Sequence, residues 1–447
     1  MIQRLKPKSE FSRNVLTLMT GTIIAQAIPI AISPILTRIY TPEDFGLFAL
    51  FIAITAIFGS MANARYELAI MLPKKDEDAI NIFALGFIIT SAVSLLLLVL
   101  VVIFNDYFTK LLNNSEISIW LYFAPIAVFF TGLWNILNYF NNRKKQYKDL
   151  AKATILKSIV AAVVQLSVGF LKSGATGLIS GQILAQLFAN TKLLSNILKD
   201  KILLSKITKL KIIALAKRYK DFPKFSMPSV ILNTASLQVP VLLLSVFFGS
   251  SVVGFYSLSH RFISMPMSII GGSIGQVFFQ KSSELKNDKE ALKSLTLKTY
   301  TKLFQIGLIP FSIIAVFSDY IFGFAFGKNW VIAGEYAQVL SLWILFVFIS
   351  SPLSNLCSIL EKQKEALYFN IFILTSRVLV ILLGAIVLKD AYQTVALFGI
   401  TGFIFWVIWS MYLLKLTGIN ISKVLIFTFL SIFISIGIFI TLRSYCC

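Results

Sequence analysis

The sequence predicts an all-α integral membrane protein: two six-helix bundles in a parallel pseudo-two-fold arrangement plus an additional C-terminal helix, 12 to 14 transmembrane helices in all. Three observations predict it. Apolar residues make up 57% of the chain and charged residues 14%, where soluble chains hold about 45–50% and about 25%, so lipid is the chief solvent. Apolar runs long enough to cross about 30 Å of hydrocarbon, which takes about 20 residues at 1.5 Å each, recur between charged clusters. The Lys and Arg that remain concentrate in alternate loops.

The runs fall at 14–37, 45–70, 79–104, 117–140, 152–171 and 175–197, then at 224–249, 252–280, 299–324, 335–357, 367–388 and 392–415, with a last one at 421–442. They divide the chain into an N-terminal lobe over 1–197, a basic cytoplasmic linker over 198–223, a C-terminal lobe over 224–415 and an additional span over 416–447. The first run carries Pro29 and Pro34 and no small-residue cleavage site follows it, so it is expected to stay attached rather than act as a cleaved signal. Loop charge puts the N-terminus in the cytoplasm, because one set of loops collects most of the Lys and Arg while Arg38, Lys110, Lys172, Lys328, Lys389 and Arg443 face the other side. An odd span count then leaves Cys447 outside. The net charge of +21 is mainly this asymmetry rather than a nucleic-acid surface. Within the linker, Lys201, Lys206, Lys209, Lys211, Lys217 and Arg218 interleave with Ile and Leu at helical spacing, a pattern that suits anionic headgroups and a plain charge-rule connector alike.

An offset of 208 superposes Gly46 on Gly254, Phe48 on Tyr256 and Leu50 on Leu258. With six runs on either side of the linker, this supports two bundles of like orientation about an axis along the membrane normal, with a cavity between the halves. Gly177 with Gly181, and Gly271 with Gly275, form small-residue faces that predict close helix packing. Pro125, Pro228, Pro240, Pro266, Pro310 and Pro352 lie within or at the edges of runs and permit bends.

Buried cations are the functional signal. An Arg at mid-bilayer costs about 2.5–3.5 kcal/mol on insertion scales, so one placed there needs a partner, water or a role. Arg377 is midway along its run, with no acid at 373, 374, 380 or 381. Arg261 lies well inside the eighth run beside the sole histidine, His260, and Arg65 near the cytoplasmic third of the second. Glu67, two residues from Arg65, falls on another face of a continuous helix and is not expected to neutralise it. Each Arg could instead snorkel or meet a carboxylate from another helix; snorkelling is the expectation for Lys157 and Lys192. If the Arg side chains share one cavity it attracts anions, and the planar guanidinium fits phosphate oxygens through paired hydrogen bonds. Glu67 could balance an Arg or carry a coupling proton, and His260 could titrate or simply line a polar cavity.

Catalytic, cofactor and metal chemistry find no support. There is no phosphate-binding loop or dinucleotide fingerprint, and one His with three Cys makes neither a zinc site nor a disulfide framework. A membrane glycan polymerase or ligase would be expected to hold reactive groups in a sizeable outer loop, and the longest here spans about 318–334. A cation exporter would want acids deep in the spans, and Glu67 is the only carboxylate well inside one.

The segment Ile35-Leu36-Thr37-Arg38-Ile39-Tyr40-Thr41-Pro42-Glu43-Asp44-Phe45-Gly46-Leu47-Phe48, followed by Arg65-Tyr66-Glu67-Leu68-Ala69-Ile70-Met71-Leu72-Pro73, resembles the start of Wzx-type O-antigen and polysaccharide flippases of the multidrug/oligosaccharidyl-lipid/polysaccharide exporter superfamily. Gly174-Ala175-Thr176-Gly177-Leu178-Ile179-Ser180-Gly181 and Tyr219-Lys220-Asp221-Phe222-Pro223-Lys224-Phe225 are similar to the same family. The resemblance implies a non-enzymatic flippase of the bacterial inner membrane that moves undecaprenyl-diphosphate-linked oligosaccharide, as in lipopolysaccharide O-antigen assembly, to the outer leaflet by alternating access. It also implies a cationic lumen to which Arg38 and Arg65 belong. Arg261 and Arg377 join them on depth alone. H+ or Na+ coupling and polysaccharide polymerase partners are compatible with it. The alternatives are a cation-coupled multidrug exporter of the same superfamily and the polymerase or ligase.

Overall fold

The computed structural model describes residues 10–171, 174–267 and 271–446. Lys172, the basic residues Arg4, Lys6 and Lys8, and Cys447 lie outside the described residues. All regular structure among the described residues is helical, and eleven helical stretches are long and apolar enough to cross a membrane, a multi-pass architecture. The helices gather into two compact units, Met1–Gln238 and Val239–Cys447.

The first unit holds α1 Glu10–Ile39, α2 Pro42–Met61, α3 Tyr66–Ala69, α4 Asp76–Leu111, α5 Ile117–Leu121, α6 Ala124–Arg143, α7 Tyr147–Gly169, α8 Thr176–Leu198, α9 Lys201–Leu204 and α10 Lys209–Arg218. α11, Met227–Phe248, runs across the boundary. α8 matches the expected sixth run in length, but Gln182, Gln186, Asn190, Thr191 and Lys192 keep it out of the eleven apolar stretches.

α2 shows how local chemistry sets an end. Pro42 occupies its first turn, and Thr41 and Asp44 form a capping box, each side chain taking up the other's backbone N–H. The other end departs from the expected run to residue 70: the helix stops at Met61, because Ala64 (φ +48°) and Arg65 (φ +65°) are successive left-handed residues. Neither is glycine, so the turn is strained. Ala64→Gly is expected to raise the unfolding midpoint of the detergent-solubilised protein, by about 0.5–1 kcal/mol of stability; a lower midpoint would mean that the packing of the Ala64 methyl outweighs the strain.

Around this turn lies the core of the unit, where Tyr66, Ile70, Ile80, Phe83, Ile136, Leu137 and Phe140 are buried together. α7 and α8 pack through the first small-residue face: a Cβ added at Gly177 would collide with Tyr40 Oη, and one at Gly181 would stand 2.7 Å from Gln165 Cγ. The second face behaves differently. Among the described residues a Cβ at Gly275 meets nothing nearer than Pro352 and Asn355 at 3.7 Å and one at Gly271 nothing nearer than Met267 at 3.5 Å, so these glycines sit at ordinary contact distance and line a groove with Gln276, Ser351, Pro352 and Asn355.

The second unit contains α12 Ser250–Ile263, α13 Gly272–Glu284, α14 Lys289–Phe326, α15 Val331–Leu353, α16 Asn355–Ile359, α17 Gln363–Leu383, α18 Ala391–Leu416 and α19 Ile421–Cys446. The expected eighth run is therefore two helices: α12 closes at Ile263 on the turn residue Ser264, and α13 starts at Gly272. α15 is the buried centre. Gly334 and Gly399 let it touch neighbouring backbone, since a Cβ at either position would collide with a carbonyl oxygen, that of Ser318 and that of Val339 respectively. The expected outer loop over 318–334 is absent: α14 continues to Phe326, Gly327 (φ +102°) makes the turn, and α15 starts at Val331.

The additional C-terminal helix is present as α19, strapped along α14. Tyr300 meets Thr428 at 3.0 Å, Ser435 donates to Ser312 at 3.0 Å, and Arg443 pairs with Asp319 at 2.6 Å.

Candidate anion-binding site

Arg377 lies 14 residues along α17, about 21 Å from its start at 1.5 Å per residue. Its guanidinium sits 5.9 Å from the ring centroid of Trp343 on α15, within cation–π range. His260 of α12 lies 5.9 Å from the same indole and stacks on Tyr256 at 5.7 Å and 25°. Phe398 of α18 packs edge-on against both Trp343 (5.0 Å) and Tyr256 (6.2 Å). α18 can approach because residue 402 is glycine: a Cβ there would lie 2.8 Å from Trp343 Cγ.

A small cavity opens on this cluster, lined by Arg377, Trp343, Ser376, Thr401, Phe405 and Trp406 among others. Its lining holds unused N–H donors beside two hydroxyls whose own protons are engaged. The indole N–H groups of Trp343 and Trp406 are both buried without an acceptor among the described residues, while the hydroxyls of Ser376 and Thr401 donate to carbonyls of their own helices. A buried donor left unsatisfied costs about 1–3 kcal/mol. A cation flanked by two unused N–H donors on apolar walls favours an oxygen-rich anion.

The structure thus brings Arg377 and His260 together around Trp343. Arg261 is exposed, in the last turn of α12, where cationic side chains suit the free carbonyls. Arg38 is exposed in the last turn of α1.

Arg65 and Glu67 correct the sequence reading. They pair, with Arg65 Nη1 2.9 Å from Glu67 Oε1, because the left-handed turn breaks the helix whose geometry would have kept residues i and i+2 apart. Both lie beyond the end of α2 instead of inside a span. Glu67 is 2% exposed; burial pushes its carboxyl above the usual range, against the downward pull of Arg65. Arg65 Nε and Glu67 Oε2 have no hydrogen-bond partner among the described residues.

The two lysines expected to snorkel each meet a partner within the first unit. Lys192 pairs with Asp149 at 3.4 Å. Lys157, ten residues into α7, lies 5.4 Å from the ring centroid of Trp134 on α6. Lys157 over Trp134 and Arg377 over Trp343 each join a cation on a unit's fifth apolar run to an indole on its fourth. Sequence reasoning weighed only the cations. The indoles were within reach of it, as five of the six Trp, at 120, 134, 343, 406 and 409, fall inside apolar runs. No group of three or more His, Cys, Asp or Glu converges on a metal position among the described residues.

A family model described as "Polysaccharide biosynthesis protein" matches residues 35–335, starting at the same Ile35 as the resemblance drawn above. The succinoglycan biosynthesis transport protein ExoT of Rhizobium meliloti (strain 1021) is 23% identical over 314 residues, 69% of this chain; the chain spans 61% of the length of that relative. An inward-facing multidrug resistance MATE family transporter of the MOP superfamily superposes with a TM-score of 0.70 at 15% identity, covering 90% of this chain and 99% of that one. The lipid II flippase MurJ in an inward closed conformation gives 0.63 at 15% identity, covering 97% and 99%. At such identities the likeness is one of fold, and the fold is that of MOP-superfamily transporters.

Proposed function

From its membership of the polysaccharide biosynthesis protein family, to which this chain belongs, we propose that the protein is a flippase moving undecaprenyl-diphosphate-linked oligosaccharide repeat units across a bacterial inner membrane, from the cytoplasmic to the outer leaflet, by alternating access. The observation that carries this reading is the cluster of the Arg377 guanidinium with the two unsatisfied indole N–H groups of Trp343 and Trp406 along one cavity. The guanidinium presents a planar pair of donors to a diphosphate, the indole N–H groups take further oxygens, and aromatic faces suit the C–H faces of sugar rings. Arg261 serves as a second anion contact at the exposed end of α12, and Arg38 as a peripheral one. Lys157 over Trp134 is the matching subsite of the first unit.

His260, stacked on Tyr256 and tilted against Trp343, whose ring also meets Arg377, stands where a coupling proton and the cargo charge would be felt together. Glu67 balances Arg65. That assignment weakens the cation-exporter alternative, since the acid such a carrier would use is already engaged by a cation. Continuous helix through 318–326 likewise removes the outer loop on which a polymerase or ligase reading depended.

Depleting the protein in its native host tests the reading. The expected result is lipid-linked repeat units accumulating on the cytoplasmic face, inaccessible to externally added glycosidase in intact spheroplasts. Single repeat units exposed on the outer face would point to a polymerase. Intact surface glycan with altered toxin sensitivity would point to a drug exporter.

A further inference from the structure

The basic linker takes no part in the anion site, and its two faces differ. On α10, Ile212, Leu215, Ala216 and Tyr219 face inward onto the core of the first unit, with Leu203 of α9 beside them. Polar bonds fix the placement: Tyr66 Oη donates to Ala216 O (3.0 Å), Asn81 Nδ2 to Lys206 O (3.0 Å), the Thr208 N–H to Asn81 Oδ1 (2.9 Å), and Lys211 Nζ to Glu77 Oε2 (2.9 Å).

The opposite face is apolar and exposed. Leu210, Ile213 and Lys217 follow one another at the three- and four-residue spacing of a single helix stripe. Leu210 is 82% exposed, Ile213 44%, and Ile202 of α9 79%. Exposed Lys201, Lys209, Lys217 and Arg218 surround them, and no Asp or Glu occurs between residues 201 and 220. Both ends are short tethers: α8 ends at Leu198 and the next apolar crossing stretch begins at Phe222. At most about 3.5 Å per residue, these connectors hold the linker at the ends of membrane-crossing helices.

We propose that the 201–218 linker is an interfacial device whose Ile202–Leu210–Ile213 face enters the boundary of the bilayer and whose lysines and Arg218 bind anionic lipid headgroups. Three features select this occupant. The side chains are apolar where acyl chains begin, the charge is of one sign and opposite to the headgroups, and the connectors forbid departure from the membrane surface. Because Tyr66 bonds the backbone of α10 beside the Arg65–Glu67 pair, lipid held by the linker is mechanically joined to that turn.

The test uses full-length protein with its cysteines replaced, carrying a bimane probe at Leu210→Cys or, as a water-exposed control, at Asn287→Cys. The protein is reconstituted in vesicles of phosphatidylcholine alone or of equal parts phosphatidylcholine and phosphatidylglycerol. In the anionic vesicles, lipid-borne nitroxide is expected to quench the Leu210 probe at least about threefold more than the control probe, and aqueous iodide correspondingly less. Molar salt, or the triple variant K201Q/K209Q/K217Q, should erase the difference between the two lipid compositions. Iodide quenching equal to that at position 287 in both vesicle types overturns the proposal. So does nitroxide quenching that is identical with and without phosphatidylglycerol. Protection from iodide confined to native membranes and lost in purified vesicles assigns the face to a protein partner and overturns it as well.

Discussion

Arg377→Ala is expected to lower delivery of lipid-linked sugar to the outer leaflet at least about tenfold while the protein stays at its normal level in the membrane. A charge-assisted hydrogen bond is worth about 1.5–3 kcal/mol, and a factor of ten is 1.4 kcal/mol, so one lost contact is enough. The fold should tolerate the change, since removing a cation from the hydrocarbon region relieves an insertion cost. Arg377→Lys restores the charge but not the planar fork, and recovery should be partial. Trp343→Phe keeps a ring and removes the N–H, which separates the stacking role from the donor role. Lys157→Ala should give a milder fall of the same kind. The measurement is glycosidase access to radiolabelled lipid-linked sugar in spheroplasts, beside a membrane immunoblot. Unchanged delivery in Arg377→Ala would remove the residue from the site.

Gly177→Val is expected to have the largest effect on the fold itself. A Cβ at this position would collide with Tyr40 Oη, whose hydroxyl donates to Gln165 O at 2.6 Å. The tyrosine must leave, breaking a buried bond that ties α1 to α7, and the displaced ring must find room beside Gly169, where a Cβ would come within 2.7 Å of the same hydroxyl. Overpacking of this kind costs about 1–3 kcal/mol, and the lost hydrogen bond about 1 kcal/mol more. The unfolding midpoint should drop and the yield of monodisperse protein should fall several-fold. Gly275→Ala, although also in a small-residue pair, meets only ordinary van der Waals distances and should leave both unchanged. Equal sensitivity at the two positions would show that the groove beside Gly275 closes in the membrane.

The contrast between these glycines shows where sequence reading stops. Small residues four apart permit an approach, but whether a partner helix arrives depends on residues elsewhere: Tyr40 and Gln165 at one face, a Pro352 bend and Asn355 at the other. Long apolar runs were legible because lipid imposes them on any spanning helix. The end of α2 was not, since Asn63-Ala64-Arg65 contains neither Gly nor Pro, and its left-handed backbone is held by tertiary contacts such as Asn63 donating to Thr90 and to the Gly132 carbonyl. Missing that turn produced the mistaken separation of Arg65 from Glu67. Arg377 stood out through depth alone, a property that survives without coordinates. Its surroundings did not, because Trp343, Trp406 and His260 come from three other helices and a tryptophan in an apolar run reads equally as packing.

The strap between α14 and α19 has a mechanical meaning. Its polar contacts at Tyr300, Ser312 and Asp319 occur at successive heights along α14, and sliding one helix past the other would strand every one of those groups in oil at the same moment. The two rods are therefore keyed like a shaft and its spline, free to tilt as one body but not to shift lengthwise, so the final helix follows the pose of α14 wherever it goes.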